Sequence, residues 1–382
     1  MMGEKLKQQR AAHKPHIVMV ISSLGPGGAE KITSMLAGHW YRKGFAVTVV
    51  TLTRHSHDHF KLDSGVCRVS LNFQAHSRNV WESLRNNLRH ISRLRKTIRS
   101  LQPGCVVSFI DDTNLRVLLA LLWTGIPVFV SERTDPRHHD IGRARQILRR
   151  ILYPLATAVV VQTGGVRNWA LQLLRQDKIA VIPNPVDALR DDAEVGNSAD
   201  VDKQTVFAMG RMGPEKGFDM LLDAYARSNI LQLGWRLVIL GDGRERATLQ
   251  QQAERLGIAH TVLMPGTVAE PRAWLRRGGY FVLSSRFEGF PNALLEAMAE
   301  GLPAVAFDCE SGPADIVRND VDGLLVPAGD VAALAEAMRR LAEDATLRTR
   351  YAQRAKEVLQ RFALQRISTQ WEELLDRNIK HE

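Results

Sequence analysis

The chain has 382 residues, of which 45% are hydrophobic and 24% are charged, and its formal net charge is +10. This length is typical of two domains, and the hydrophobic content is sufficient for buried cores. No apolar run approaches the roughly 20 residues of a membrane-spanning helix, and the scattered cysteines Cys67, Cys105 and Cys309 exclude a zinc spacing or a disulfide framework, so a reducing compartment is the default.

The charge is unevenly divided between the two halves of the chain. Residues 1–190 contain 28 Lys or Arg and 12 Asp or Glu, a net charge of +16, whereas residues 191–382 contain 23 and 29, a net charge of −6. This asymmetry predicts different partners for the two halves.

The first half alternates short apolar runs with helical patterns. Runs of strand length lie at 17–21, 46–52, 105–110, 128–131 and 158–162, and helical patterns lie at 29–42 and 80–100. Lys14 followed by the first apolar run is similar to the start of a signal peptide. That run is short and leads into Gly25-Pro-Gly-Gly28, so we predict a buried strand instead. Continuous apolar strands between helices predict a parallel sheet that is buried on both faces.

A polar segment without periodicity, at 187–203, is the predicted linker to a second alternating unit. The strands of that unit are predicted at 205–209, 236–240, 261–264, 280–283, 304–307 and 323–326, with a last helix at 364–376. We therefore predict two doubly wound α/β domains that form a cleft between them, with ligands at the carboxyl ends of their strands. The predicted boundaries are 15–187 for the first domain, 204–360 for the second, and 361–382 for a terminal helical segment that packs back on the first.

Two carboxylates eight residues apart, Glu288 and Glu296, mark the strongest candidate site. The sequence around them predicts a strand, a tight loop, and a helix that begins at Pro291 or Asn292. Glu288 would lie in the loop and Glu296 about two turns into the helix, beside the free N–H groups of the helix start. A sugar nucleotide, with hydroxyls and phosphates, suits this set; a Glu-rich helix start that only favours the helix dipole is the alternative.

A glycine-rich loop with two cations, Met209-Gly-Arg-Met-Gly-Pro-Glu-Lys-Gly217, follows the strand at 205–209. Gly210 allows close backbone approach, Arg211 offers a planar fork for phosphate oxygens, and Lys216 offers a point charge. The Walker pattern G-x-x-x-x-G-K-[ST] is absent. The loop predicts either a phosphate clamp or a solvated basic turn.

The stretch around Glu288 and Glu296 resembles the E-x7-E signature of retaining glycosyltransferases of family 4. The loop with Arg211 and Lys216 resembles that family's diphosphate clamp, and Ser22-Ser-Leu-Gly-Pro-Gly-Gly-Ala-Glu30 resembles its Gly-Gly-Ala-Glu loop. Leu240-Gly-Asp-Gly and Met264-Pro-Gly resemble strand ends that surround the nucleotide. The donor-binding residues that this resemblance implies are Gly27, Gly28, Gly210, Gly241, Gly266, Gly289, Phe290, Asn292, Ala293, Leu294 and Glu296.

The resemblance also implies the GT-B fold and a catalytic set of Arg211, Lys216 and Glu288. The two cations would stabilise the leaving diphosphate, Glu288 would bind sugar hydroxyls, and Glu296 would bind the nucleotide ribose. Two Asp-x-Asp matches, Asp200-Val-Asp202 in the linker and Asp320-Val-Asp322 in what looks like a hairpin turn, do not follow a strand beside this site. We therefore expect no metal and no cofactor besides the donor substrate.

One loop departs from the family's commoner pattern. Many members carry His-Asp where this chain has Ser131-Glu132, so a histidine role is not carried over. Glu132 and Arg133 are candidate contacts for the acceptor or the sugar, and a cap with an ion pair is the alternative. With Asn114-Leu-Arg116 and Phe307-Asp-Cys-Glu-Ser-Gly-Pro313, this loop resembles the branch that includes the amylovoran-biosynthesis glycosyltransferases.

The predicted helix at 80–100 carries an apolar stripe beside basic residues. The stripe consists of Leu84, Leu88, Ile91, Leu94 and Ile98, and the basic residues are Arg85, Arg89, Arg93, Arg95, Lys96 and Arg99. We predict that the stripe faces the core, and that the basic face contacts an anionic membrane, helped by a second cluster of Arg143, Arg145, Arg149 and Arg150. Nucleic acid is not an expected partner because no recognised motif supports it.

The resemblance implies a retaining glycosyltransferase of bacterial surface polysaccharide synthesis. Its substrates would be a nucleotide sugar and a polyprenyl-diphosphate-linked or other glycan acceptor, and it would lie on the cytoplasmic face of the membrane as a peripheral protein. A sugar-nucleotide epimerase and a non-catalytic sugar-nucleotide-binding protein are the alternatives.

Overall fold

The computed structural model describes residues 14–54, 58–73, 80–187 and 202–379. The chain divides into two compact units. The first comprises the residues up to Gln162, Arg167–Pro183 and the residues from Ile367 onward, and the second comprises Thr163–Val166 and Asn184–Arg366. Most of the predicted linker, 188–201, lies outside the described residues, and so do Asp200 and Val201 of the first Asp-x-Asp match.

The first unit is built on a seven-stranded parallel sheet with the order β3-β2-β1-β4-β5-β6-β7. The strands are β1 (Ile17–Ile21), β2 (Val47–Thr51), β3 (Cys67–Ser70), β4 (Cys105–Phe109), β5 (Val128–Ser131), β6 (Ala158–Val161) and β7 (Ile179–Val181). Every residue of β1, β2 and β4 is buried, as the continuous apolar runs predict. The sequence analysis missed β3 and β7, because these short edge strands are only partly buried and lack a long apolar run.

The helices that follow these strands are α1 (Gly28–Arg42), α2 (Val80–Ser100), α3 (Asp111–Ala120), α4 (Arg143–Leu152) and α5 (Gly164–Ala170). The prediction that the apolar stripe of α2 faces the core is right for Leu94 and Ile98, which are fully buried, but wrong for Leu88, which is 60% exposed. A 21-residue helix extends about 31 Å, roughly twice the length of a five-residue strand, so part of α2 lies beyond the sheet. The side chain of Leu84 lies outside the described part of the helix.

The second unit is built on a six-stranded parallel sheet with the order β10-β9-β8-β11-β12-β13. Its strands are β8 (Thr205–Met209), β9 (Arg236–Leu240), β10 (Val262–Gly266), β11 (Tyr280–Leu283), β12 (Ala304–Asp308) and β13 (Gly323–Pro327). Its helices are α6 (Phe218–Ser228), α7 (Arg246–Arg255), α8 (Pro271–Leu275), α9 (Asn292–Ala299), α10 (Pro313–Ile316), α11 (Val331–Glu343), α12 (Ala345–Ala355) and α13 (Val358–Arg361). Along β8, Val206 and Ala208 enter one hydrophobic cluster and Phe207 the other, so both faces of this sheet are covered.

The predicted α/β class with two doubly wound parallel sheets is confirmed. In each sheet the strand order reverses at one point, between β1 and β4 in the first unit and between β8 and β11 in the second. Because the strands are parallel, the loops that leave their carboxyl ends lie along one edge of each sheet. Loops on either side of a reversal diverge, and this leaves room for a ligand.

The last helix, α14 (Leu364–Asn378), ends the described chain. From Ile367 onward its residues belong to the first unit. The ring of Trp371 meets that of Trp40 edge-on at a centroid distance of 6.3 Å, and Glu372 pairs with Lys43 at 2.8 Å. The aromatic contact and the ion pair fix the helix against α1.

The segment Asp320–Asp322 is not the hairpin turn that the sequence suggested. It connects α10 to β13, a strand that pairs in parallel with β12, and so it cannot join antiparallel neighbours. The carboxylate of Asp322 is fully buried and accepts hydrogen bonds from the backbone N–H and the Nε of Arg318. Asp322 therefore has a local structural role.

No helix among the described residues has both the length and the apolar composition that crossing a membrane would require.

Candidate active site

Lys216 and Glu288 meet at the strand reversal of the second sheet. Lys216 ends a short 3-10 helix that follows β8, and Glu288 lies in the loop after β11. The lysine Nζ donates to the Glu288 Oε1 at 2.7 Å, with side chains 21% and 9% exposed. The hydroxyl of Ser285 donates to the same oxygen at 2.7 Å. Sequence reasoning did not assign Ser285, although its place directly after a buried strand was a usable signal.

The loop after β8 reaches β11 because Gly217 has no side chain. Its φ of 60° is left-handed, and a Cβ there would lie 2.1 Å from the carbonyl oxygen of Ser284. The Ser284 hydroxyl donates to the Lys216 carbonyl at 2.9 Å. These backbone contacts place the lysine beside the glutamate.

The predicted glycines after β8, β9 and β10 are joined by close backbone contacts. Gly210 donates its N–H to the carbonyl of Leu240, and Gly241 donates to the carbonyl of Gly266, both at 2.9 Å. A Cβ on Gly241, whose φ is +125°, would lie 2.1 Å from the Gly210 carbonyl oxygen. Gly210, Gly241 and Gly266 therefore lie side by side at the carboxyl edge of the sheet.

Arg211, the second predicted clamp cation, extends into solvent. Its side chain is 80% exposed, and its Nη2 lies 3.0 Å from the Glu215 Oε1. Burial alone would raise the pKa of Glu215, but hydrogen bonds from its own backbone N–H and from Arg211 lower it below the ordinary value. An anion that approaches from solvent can therefore reach Arg211. Binding that anion would break only the surface ion pair with Glu215, and such pairs contribute little stability.

The start of α9 presents backbone amides beside Glu288. The helix begins at Asn292, whose Oδ1 accepts from the Nδ2 of Asn184 at 2.7 Å. The N–H groups of Ala293 and Leu294 belong to the first turn, where amides have no acceptor within the helix. The prediction that the helix starts at this point agrees with its observed bounds.

The side chains of two predicted donor contacts lie in the core. Leu294 is fully buried, and Phe290, 6% exposed, packs on Phe362 at a centroid distance of 5.9 Å. A donor contact at either residue would therefore use the backbone. Glu296 is half-buried and is the fifth residue of α9. It lies just over one turn into the helix, and the expected two turns were wrong because a turn takes about 3.6 residues.

The loop after β12 closes against Gly289 of the same unit. The hydroxyl of Ser311 donates to the Gly289 carbonyl at 3.3 Å and lies 2.6 Å from the hydroxyl of Thr163. Burial, together with the charge of Glu288, raises the pKa of the neighbouring Cys309 thiol to about 12. The sequence analysis used this loop only as a marker of a family branch, whereas the pairing of β12 with β11 explains its place near the site.

In the first unit, the glycine loop after β1 leads directly into α1. Gly27 precedes the helix with extended backbone, and Gly28 is its first residue. The carboxylate of Glu30 folds back over Gly27, where a Cβ would lie 2.2 Å from its Oε2. The Glu30 carboxylate thus lies over the residue that precedes its own helix, and burial raises its pKa above the ordinary value.

Glu132 lies in a buried polar cluster at the carboxyl end of β5. Its side chain is fully buried, the hydroxyl of Tyr153 donates to its Oε1, and the Nε of Arg149 lies 3.4 Å from the same oxygen. Arg149 also approaches Asp111 at 3.6 Å, and His139 lies 3.1 Å from that aspartate. Burial raises the pKa of Glu132, and Arg149 and Tyr153 oppose the shift.

Arg133 is held beside this cluster by an aromatic ring. Its guanidinium carbon lies 4.8 Å from the centre of Phe109. Burial lowers the pKa of Arg133 to about 9. The ion pair with Arg149 supports the structural interpretation of Glu132, and the role of Arg133 as a contact for the sugar or acceptor stays a prediction.

Two family models match consecutive parts of the chain. Residues 27–185 match the glycosyl transferase 4-like domain, and residues 190–358 match the glycosyl transferases group 1 domain. The chain belongs to the family 4-like glycosyltransferases of the GT-B fold. The family membership predicted from the E-x7-E stretch is therefore confirmed.

The sequence of this glycosyltransferase is similar to those of three proteins with named activities. It is 26% identical over 361 residues to a Campylobacter jejuni α-1,4-N-acetyl-D-galactosaminyltransferase named for an undecaprenol-diphosphate-linked acceptor, covering 94% of this chain and 98% of that protein. It is 28% identical over 232 residues to an amylovoran biosynthesis glycosyltransferase of Erwinia amylovora, covering 60% and 65%. An exopolysaccharide phosphotransferase of Streptomyces coelicolor is 36% identical over 298 residues, which are 77% of this chain but only 30% of that protein.

The fold also has solved counterparts. The crystal structure of Anabaena HepE in complex with UDP and glucose matches with a TM-score of 0.78 and 20% identity, covering 95% of this chain and 100% of the other. A match at this identity establishes the fold and nothing about the substrates.

Proposed function

We propose that this glycosyltransferase transfers a sugar from a nucleotide-diphosphate sugar to a glycan hydroxyl with retention of the anomeric configuration. The observation that carries the proposal is the Lys216–Glu288 pair at the strand reversal of the second sheet. It joins a cation for phosphate and a carboxylate for hydroxyls at one point, beside the amides that begin α9. A sugar joined to a diphosphate offers the complementary groups.

In the proposed reaction, the bond between the anomeric carbon and the diphosphate oxygen breaks, and the nucleoside diphosphate leaves with the electron pair. The acceptor oxygen bonds to the anomeric carbon on the face that the diphosphate leaves, and its proton passes to the leaving phosphate. Lys216 and Arg211 would stabilise the charge that develops on the diphosphate. Glu288, held by Ser285, would keep its orientation towards the sugar hydroxyls when Lys216 turns to the donor.

We propose that the reaction needs no donor metal. Arg211, Lys216 and the helix amides would supply the positive charge that a divalent cation supplies elsewhere. Turnover should therefore persist when a chelator such as EDTA is added. Loss of activity with EDTA that Mg²⁺ or Mn²⁺ restores would contradict this part of the proposal.

For the acceptor, we propose a polyprenyl-diphosphate-linked glycan in bacterial surface polysaccharide synthesis. The support is the Campylobacter relative, whose named acceptor is lipid-linked and which aligns over nearly its full length. We place the protein peripherally on the cytoplasmic face of the membrane, with the basic first half, of net charge +16, towards anionic lipid.

The name of the Streptomyces relative suggests a second candidate, transfer of a phosphosugar. This chain spans only 30% of that protein, so the named activity does not pass to it by similarity. The two reactions release different products from one donor. Sugar transfer releases a nucleoside diphosphate, whereas phosphosugar transfer releases a nucleoside monophosphate.

The test is to incubate the protein with a panel of nucleotide sugars, with and without lipid-linked acceptors, and to identify the released nucleotide by chromatography. We expect nucleoside diphosphate in proportion to glycosylated acceptor, and only when an acceptor is present. A monophosphate product would favour phosphosugar transfer. An isomerised donor without acceptor would indicate an epimerase, and donor binding without turnover would indicate a binding protein.

A further inference from the structure

Helix α4 of the first unit exposes a stripe of large apolar side chains. Ile147 and Ile151 are 58% and 59% exposed, and Leu148 is 36% exposed. Leu155, in the turn that follows, is 59% exposed. The spacing of Ile147 and Ile151 puts their side chains on one side of the helix, and Leu155 belongs to the short 3-10 helix, Tyr153–Leu155, that follows directly. Below we call these four residues the α4 stripe.

The buried side of α4 fixes the stripe in this orientation. Only Arg149 and Leu152 of the helix are buried. The guanidinium of Arg149 lies against the carboxylates of Glu132 and Asp111, at 3.4 and 3.6 Å. Rotation of the helix to bury the stripe would remove this cation from two buried carboxylates, which is costly. The stripe therefore remains at the surface of the unit.

Cations flank the stripe on the same helix. Arg143, Arg145 and Arg150 are exposed, and the helix contains no acidic residue. Apolar side chains with arginines beside them are the pattern of a helix that lies in a membrane interface. The pattern disfavours a second copy of this chain as the occupant of the stripe, because association through it would bring two basic surfaces together.

We propose that α4 is a membrane-interfacial helix, whose stripe enters an anionic lipid bilayer at the boundary between headgroups and acyl chains. The proposal deepens, and rests on, the proposed use of a lipid-linked acceptor, for which it assigns the membrane contact of the first unit to α4. It shifts the contact expected from the basic helix α2. That helix exposes the cations Arg85, Arg89, Arg93, Lys96 and Arg99, but Leu88 is the one exposed large apolar side chain among its described residues. Arg143 and Arg150 would lie at the headgroups.

The test is binding of the full chain to vesicles of phosphatidylglycerol and phosphatidylcholine by co-sedimentation, at low salt and at about 1 M NaCl, where the Debye length is about 3 Å. Screening removes the attraction of arginines but leaves apolar insertion, so wild type should retain measurable binding at high salt. Ile147→Ser/Ile151→Ser/Leu155→Ser should lose that salt-resistant binding and weaken binding at low salt by about tenfold or more.

A matched control removes three other exposed apolar side chains, in Val181→Ser/Leu233→Ser/Leu263→Ser, which are 41%, 46% and 42% exposed in the wild type. This variant should bind vesicles as wild type does. A second variant, Arg89→Gln/Arg93→Gln/Lys96→Gln, should weaken binding at low salt and leave the salt-resistant part unchanged. Circular dichroism would check that each variant is folded.

Equal vesicle binding by wild type and the stripe variant would overturn the proposal. So would binding of wild type that disappears completely at high salt. A wild-type dimer that the stripe substitutions dissociate, with no change in vesicle binding, would assign the stripe to a second copy instead. Vesicle binding requires no donor and transfer to a detergent-solubilised acceptor requires no vesicle, so failure of this inference and failure of the proposed function are measured separately.

Discussion

At the residue scale, the Lys216–Glu288 pair is the central feature of the molecule. Both side chains are largely withdrawn from water, and partly buried ion pairs return little net stability after desolvation. Such a pair is better explained by what it can bind than by what it adds to folding. The carboxylate is held by Ser285 as well as Lys216, which leaves the lysine free to exchange partners.

We predict that Lys216→Ala and Arg211→Ala each lower the transfer rate by about 10²-fold. Each would remove one cation from the leaving diphosphate, a loss on the order of 3 kcal/mol in the transition state. Steady-state kinetics would measure the effect. Arg236→Ala, which removes an exposed cation from the opposite end of a strand in the same sheet, is the control and should leave the rate unchanged. Near-normal turnover in both clamp variants would refute the clamp.

The two glutamates should act differently. Glu296→Gln should weaken binding of the bare nucleoside diphosphate, because its predicted partner is the ribose. Glu288→Gln should leave that affinity nearly unchanged and lower the transfer rate, because its predicted partner is the sugar. Isothermal titration beside kinetics would measure both, and equal losses of affinity in the two variants would contradict this division of roles.

Glu132 should make the stability of the protein depend on pH. Burial raises its pKa in the folded state, so above about pH 4.5, the ordinary value for this carboxyl, the folded state binds the proton more tightly than the unfolded state does. Stability is therefore lost as the pH rises towards the folded pKa. Glu132→Gln should flatten this decline in urea unfolding across the pH range. The control Glu336→Gln, at an exposed site, should keep the wild-type slope, and an unchanged slope in Glu132→Gln would show that the carboxylate is not responsible.

At the element scale, the site depends on glycines that let strand ends approach each other. Gly217 combines a left-handed backbone with a Cβ position 2.1 Å from a carbonyl oxygen, whereas Gly329 is also left-handed, with φ of +76°, but its Cβ would meet open space. The two positions therefore separate backbone strain from a steric clash.

We predict that Gly217→Ala destabilises the protein more than Gly329→Ala does. The left-handed conformation costs alanine about 1–2 kcal/mol at either position, and forced overlap at Gly217 adds about 1–3 kcal/mol. Urea unfolding would give the difference. Equal costs would show that the loop after β8 relaxes freely and does not fix the position of Lys216.

The elements show why some features were predictable from sequence and others were not. Fully buried strands such as Ile17–Ile21 appear in the sequence as continuous apolar runs, so the α/β class could be predicted. Glycines at strand ends mark places where backbone segments approach each other closely, so the candidate loops could be predicted too. The edge strand Cys67–Ser70 has no such run. Ser311 was missed because its role arises from the pairing of β12 with β11, which local sequence does not encode, whereas Ser285 was missed although it directly follows a buried strand.

At the scale of the whole molecule, the chain combines two doubly wound units with opposite charge. The cluster of Glu132, Arg149 and Asp111 illustrates a limit of reading loops by family pattern, since three distant segments of the sequence converge on it. The same convergence fixes α4 with its apolar stripe at the surface. The substrates of the protein follow from neither feature alone, so the central claim has to be tested on the reaction.

The most direct measurement is a time-resolved proton NMR spectrum of the transfer reaction, started with an α-linked nucleotide sugar and an acceptor glycan. It follows the loss of donor and the anomeric proton of the new bond in one sample. We predict an α-linked product that forms in step with nucleoside diphosphate, with both signals slowed in Lys216→Ala. A β-linked product, or product formation that is indifferent to Lys216, would contradict retaining transfer at this site.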